Sequence, residues 1–162
     1  EMIRLKTVVL LAVSLRIGAI LGGAAPEDDE NLYDFGRQIG VAFQLQDDLL
    51  DVYGDPAVFG KNIGGDILCN KKTYMLIKAL ERADRDQLEG LNHWLSATSF
   101  CPEEKISAVT ELYTQIGIKA VCENKMREYY TRAMTSLGAV SVIEDKKSEL
   151  KKLMKHLMYR EM

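Results

Sequence analysis

Phe43-Gln44-Leu45-Gln46-Asp47-Asp48-Leu49-Leu50-Asp51 is the stretch on which the reading of this chain turns. Read as a helix, it puts Asp47 and Asp51 one turn apart on one face. Asp48 lies about 100° around the axis, on the flank. Gln44 precedes Asp47 by three residues on the same stripe, with Gly40 below it. Phe43 and Leu50 fall off the stripe and are available to a core. Carboxylates this close repel one another, and a compensating cation relieves them. Hard oxygen donors suit Mg²⁺, which takes one or two carboxylates and fills its shell with water and phosphate oxygens. An exposed acidic helix face is the other reading of the same residues.

The residues that follow bear on that choice. A loop carries Gly60, Lys61, Gly64 and Gly65, and Lys71 and Lys72 come soon after. Glycines let a backbone approach a ligand closely. A basic, glycine-rich loop after an acidic helix end supplies cations for phosphate and carboxylates for a metal. A Ca²⁺-binding EF-hand does not fit, because the alternating oxygen ligands and closing Glu are not in register.

Outward from this stretch the chain reads as helix throughout. Its 162 residues are 47% hydrophobic and 28% charged, with three prolines, as expected of a globular all-α domain. The pattern predicts helices over 2–21, 28–52, 73–83, 85–96, 102–115, 118–137 and 142–158, in one domain spanning residues 1–162. Gly36 and Gly40, four apart, predict close approach of a neighbouring helix. Glu27, Asp28, Asp29 and Glu30 follow Pro26 and read as helix-start charge, not as a metal motif. The lysines of the last helix read as a solvated face. His93 and His156 have no partner at metal or catalytic spacing.

The net charge of −3 gives no footprint for nucleic acid. The longest apolar stretch, Val8 to Leu21, is broken by Ser14 and Arg16 and is too short for a membrane span. Three scattered cysteines predict no disulfide framework and fit a reducing cytoplasm.

Phe-Gln-x-x-Asp-Asp-x-x-Asp, then Gly60-Lys61, Gly65-Asp66-Ile67 and Asn70-Lys71-Lys72-Thr73, resembles the second aspartate-rich region of the trans-isoprenyl diphosphate synthases. Lys6-Thr7 resembles the Lys-Thr pair that precedes this region. The resemblance covers the whole chain. It implies the C-terminal part of the isoprenoid-synthase helical bundle, and a Mg²⁺-dependent prenyltransferase joining an allylic diphosphate (dimethylallyl or geranyl) to isopentenyl diphosphate. It implies Asp47 as main metal ligand, with Asp48 and Asp51 acting partly through the ion's waters. Lys6, Lys61 and Lys71 would meet diphosphate, with Lys71 alternatively closing the loop against the acidic helix. Thr7 and Gln44 would lie near the allylic carbon. The intact enzyme would be a homodimer.

The family's first Asp-rich motif does not occur in this sequence, nor does its Arg-Arg pair. With Glu1 falling inside a helical pattern, the expectation is a fragment of a larger synthase, inactive alone and exposing apolar surface on its first helices. The alternatives are a natural non-catalytic subunit of a heteromeric synthase, a terpene-cyclase or squalene-synthase relative, and a plain helical bundle with an acidic face.

Overall fold

A computed structural model describes residues 7–55 and 63–158. They form α1 (Val9–Leu21), α2 (Pro26–Tyr53), α3 (Gly65–Leu68), α4 (Tyr74–Arg82), α5 (Arg85–Ser96), α6 (Pro102–Ile116), α7 (Ile118–Ala139) and α8 (Glu144–Met158). No strand occurs among the described residues. The all-α reading holds, and α5 has the bounds its sequence pattern predicts. The single turn of α3 lies inside what reads in sequence as an uninterrupted loop. A four-residue element has no period to detect.

Two compact units make up the chain: Glu1–Gln46 with Lys125–Arg160, and Asp47–Asn124 with Glu161–Met162. In the first, Phe35, Ile39 and Ala42 recur along one face of α2 and are buried with Ala133 and Leu137 of α7 and Met154 of α8. This i, i+4, i+7 spacing is the apolar stripe of a core-facing helix. Gly36 and Gly40 let α1 approach. A Cβ on Gly36 would stand 2.7 Å from the Ala12 Cα, and one on Gly40 3.1 Å from the Val8 Cα. The other side of α1 is also apolar, with Leu10, Ile17, Ile20 and Leu21 exposed.

The acidic start of α2 is tied down by protein partners. Asp28 is buried and accepts the Ser141 N–H at 2.7 Å and the Ser141 hydroxyl. Arg16 donates to Asp29 at 3.1 Å and also pairs with Glu30. On α8, the solvated-face reading fails for Lys147, which is buried. Its Nζ donates to the Gly138 carbonyl at 3.0 Å. A cation placed on the free carbonyls of a helix end satisfies acceptors that have no intrahelical donor.

In the second unit the helix ends carry local signals. Thr73 caps α4 by accepting the Leu76 N–H at 3.2 Å. Asp84 and Gln87 form a reciprocal capping box at the start of α5. Pro102 opens α6 and Gly117, at φ 78°, closes it. Leu49, Leu50, Val52, Ile67, Met75, Leu91, Val109 and Tyr113 are buried in this unit.

Candidate metal and diphosphate site

The site is built from the end of α2 and the segment that returns to it. Of the aspartates, Asp48 is 1% exposed, while Asp47 and Asp51 are half-buried. Asp48 thus points inward rather than along the flank, and a buried carboxylate needs a charged or hydrogen-bonding partner. Lys71 supplies one, its Nζ lying 3.2 Å from Asp48 Oδ1 and 2.6 Å from Asp66 Oδ2. Burial alone would lower the lysine's pKa. The Asp66 and Asp48 carboxylates reverse that and raise it.

Asp51 makes a second tie. Its Oδ2 accepts the Asp66 N–H at 2.9 Å, and its carbonyl accepts the Gly64 N–H at 2.6 Å. Burial pushes the Asp51 carboxyl up, and the Asp66 N–H pulls the other way. Gly64 adopts φ 85°, a left-handed conformation that glycine takes without penalty. A Cβ there would also lie 2.6 Å from the side chain of Ile106. The loop glycine therefore serves the return of the backbone to Asp51.

The second unit thus brings Asp48, Asp51 and Lys71 together and adds Asp66, to which the sequence assigned no role. Asp47 stands on the same helix end, and no ion pair among the described residues reaches it. In the first unit, the Thr7 hydroxyl lies 3.5 Å from Gln44 Oε1. Lys6 and Lys61 lie outside the described residues. Asn70, which precedes Lys71, accepts from the buried Lys105 at 2.7 Å, and neither was among the expected site residues. A lysine on a buried helical stripe, four residues before Val109 and eight before Tyr113, is the sequence signal that could have found Lys105.

The donor set fits Mg²⁺. Four carboxylates (Asp47, Asp48, Asp51, Asp66) belong to the end of α2 and the segment returning to it, and among the described residues Lys71 pairs with two of them, Asp48 and Asp66. All are hard oxygen donors. No three His, Cys, Asp or Glu side chains converge as a closed metal cage among the described residues. A cation held here would complete its shell with water and phosphate oxygens, as Mg²⁺ commonly does. Cys122 is no candidate nucleophile, since burial pushes its thiol up to about 12. No helix among the described residues is long and apolar enough to cross a membrane.

The chain is 41% identical over 117 residues to the short chain isoprenyl diphosphate synthase of Methanothermobacter thermautotrophicus, covering 72% of this chain and 35% of that protein. It is 32% identical over 154 residues to the geranylfarnesyl diphosphate synthase of Aeropyrum pernix, covering 95% of this chain and 47% of that one. The chain therefore spans less than half the length of these relatives. A crystal structure of a geranylgeranyl pyrophosphate synthase superposes with a TM-score of 0.89 at 36% identity, over 99% of this chain and 50% of that chain. Another, from Corynebacterium glutamicum and complexed with isoprenyl diphosphate and magnesium, has a TM-score of 0.78 at 30% identity, over 89% and 41%. Residues 1–113 match the polyprenyl synthetase family, and with the helical fold and the Asp-rich helix end in place, the chain belongs to that family.

Proposed function

We propose that this chain supplies the second aspartate-rich half of a Mg²⁺-dependent prenyltransferase that joins an allylic diphosphate to isopentenyl diphosphate in a cytoplasmic pathway. The observation that carries this reading is the gathering of Asp48, Asp51 and Asp66 around Lys71 and the Asp66 N–H at the end of α2, with Asp47 on the same helix end. Bound there, Mg²⁺ would supply positive charge for the diphosphate that leaves the allylic carbon. Asp47 is the main ligand in this reading. Asp48 and Asp51, fixed by Lys71 and by the Asp66 N–H, act on the ion partly through its waters. Lys6, Lys61 and, more weakly, Lys71 meet the diphosphate. Thr7 and Gln44 present oxygen dipoles to the developing allylic cation.

A complete site needs a facing Asp-rich motif, which this sequence lacks. The chain alone is therefore inactive, and the exposed apolar side of α1 covers itself by packing on the complementary half or by self-association. The intact enzyme is a homodimer. The test is incorporation of isopentenyl diphosphate into prenyl product by this chain co-expressed with the N-terminal half of a full-length relative. Mg²⁺-dependent product from the pair and none from either half is the expected result. No product from a folded, associated pair would contradict the assignment. Product from the chain alone would overturn its inactivity.

A further inference from the structure

Lys105 is an unusual residue to bury. It is 1% exposed, and its Nζ meets a side-chain amide and an aromatic face: Asn70 Oδ1 at 2.7 Å, and the Phe100 ring with its centroid at 4.3 Å. A buried ammonium without a carboxylate is a weak source of stability, because desolvation is costly and a well-packed apolar side chain often does as well. Its geometry points elsewhere. Asn70 is left-handed at φ 49°, the one non-glycine residue of positive φ among those described. Its N–H donates to the Ile67 carbonyl, and the next N–H, of Lys71, donates to the Asp66 carbonyl at 2.9 Å. That pair of bonds is the Schellman ending of a helix, with Asn70 in the position usually held by glycine. Asparagine tolerates this conformation and, unlike glycine, brings a side chain. The amide spends both ends, accepting from Lys105 and donating from Nδ2 to the Leu95 carbonyl at 3.1 Å. Asn70 is thereby clamped to α5 and α6, and the residue that leaves the clamp is Lys71.

We propose that Lys105 is a positioning residue for the Asp-rich motif: through Asn70 it fixes the turn that aims Lys71 at Asp48 and Asp66. Lys105 lines the same cavity as Asp48, Asp66, Asn70 and Lys71. The inference rests on the metal reading only for its consequence, since the aim of Lys71 is measurable without metal.

The experiment compares the chain with Lys105→Met, which keeps volume, and Asn70→Gly, which keeps the backbone conformation and deletes the amide. The first readout is the rate at which Lys71 is acylated, followed by mass spectrometry. Both variants should raise it severalfold relative to Lys72, and the double variant should add nothing further. An unchanged Lys71 rate in variants with native-like melting overturns the proposal. The second readout is Mn²⁺ binding in the presence of inorganic diphosphate, followed by electron paramagnetic resonance. Loss of a residue that orients metal ligands typically weakens binding about 10–100-fold, and that is expected here. Equal affinity in wild type and both variants overturns the positioning role. If wild type binds no Mn²⁺, the proposed function fails, and the Lys71 rate alone decides the inference.

Discussion

The helix Pro26–Tyr53 opens with Glu27, Asp28, Asp29 and Glu30 and nears its end with Asp47, Asp48 and Asp51. At the opening run each described partner is internal: Ser141 holds Asp28, and Arg16 serves both Asp29 and Glu30. The dipole of the helix start favours these charges as well. At the closing run the dipole is unfavourable, and Lys71 is shared between Asp48 and Asp66. The closing run also faces a glycine-supported return of the chain, at Gly64. Acidic density is similar in the two runs. What separates them is the sign of the helix dipole and the backbone that returns to the closing run through the Gly64 and Asp66 N–H groups.

The largest separation should appear in catalysis. In the reconstituted synthase, Asp47→Ala should lower product formation about 100-fold or more. Asp29→Ala should leave it within about twofold. Equal losses would erase the distinction between the runs. In stability the order follows burial. Asp48→Ala leaves Lys71 with one carboxylate and should cost about 1–3 kcal/mol in denaturant unfolding. Glu30→Ala, at an exposed pair, should stay within about 0.5 kcal/mol.

The glycines beside each run sharpen the contrast. Gly23 (φ 71°) precedes the first run with nothing within 4 Å of a would-be Cβ, whereas Gly64 meets Ile106. Alanine at either should cost about 1–2 kcal/mol for its left-handed backbone. Gly64→Ala should cost measurably more, since Ile106 must move. A smaller pH effect belongs to the first run. Hydrogen bonds from Ser141 hold the Asp28 carboxyl below the usual carboxylate range. Its contribution is therefore full above about pH 3.9, the ordinary aspartate value, and is lost as pH falls through the depressed folded value. Asp28→Asn should flatten that acid limb of an unfolding titration, and an unchanged limb would remove Ser141 from the account.

Much of this was legible in the chain. The pattern along 28–52 marked the long helix, and Gly36–Gly40 announced the close approach of a neighbouring helix, which proves to be α1 at Ala12. The spacing of Asp47, Asp48 and Asp51 marked the acidic end of α2, which Lys71 and the Asp66 N–H meet. The direction of Asp48 was not legible, because it depends on Lys71, which lies 23 residues on in sequence. Lys147, read as solvated, failed for the same reason, and Lys105 drew no reading. A lysine's burial is decided by acceptors on other elements, here Asn70 and the Gly138 carbonyl.

The most direct test is calorimetric titration of inorganic diphosphate into the chain, with and without Mg²⁺, for wild type, Asp47→Asn and Asp29→Asn. The account predicts binding that requires Mg²⁺, is lost in Asp47→Asn and persists in Asp29→Asn. Absence of Mg²⁺-dependent binding in wild type, or binding indifferent to Asp47, would contradict it.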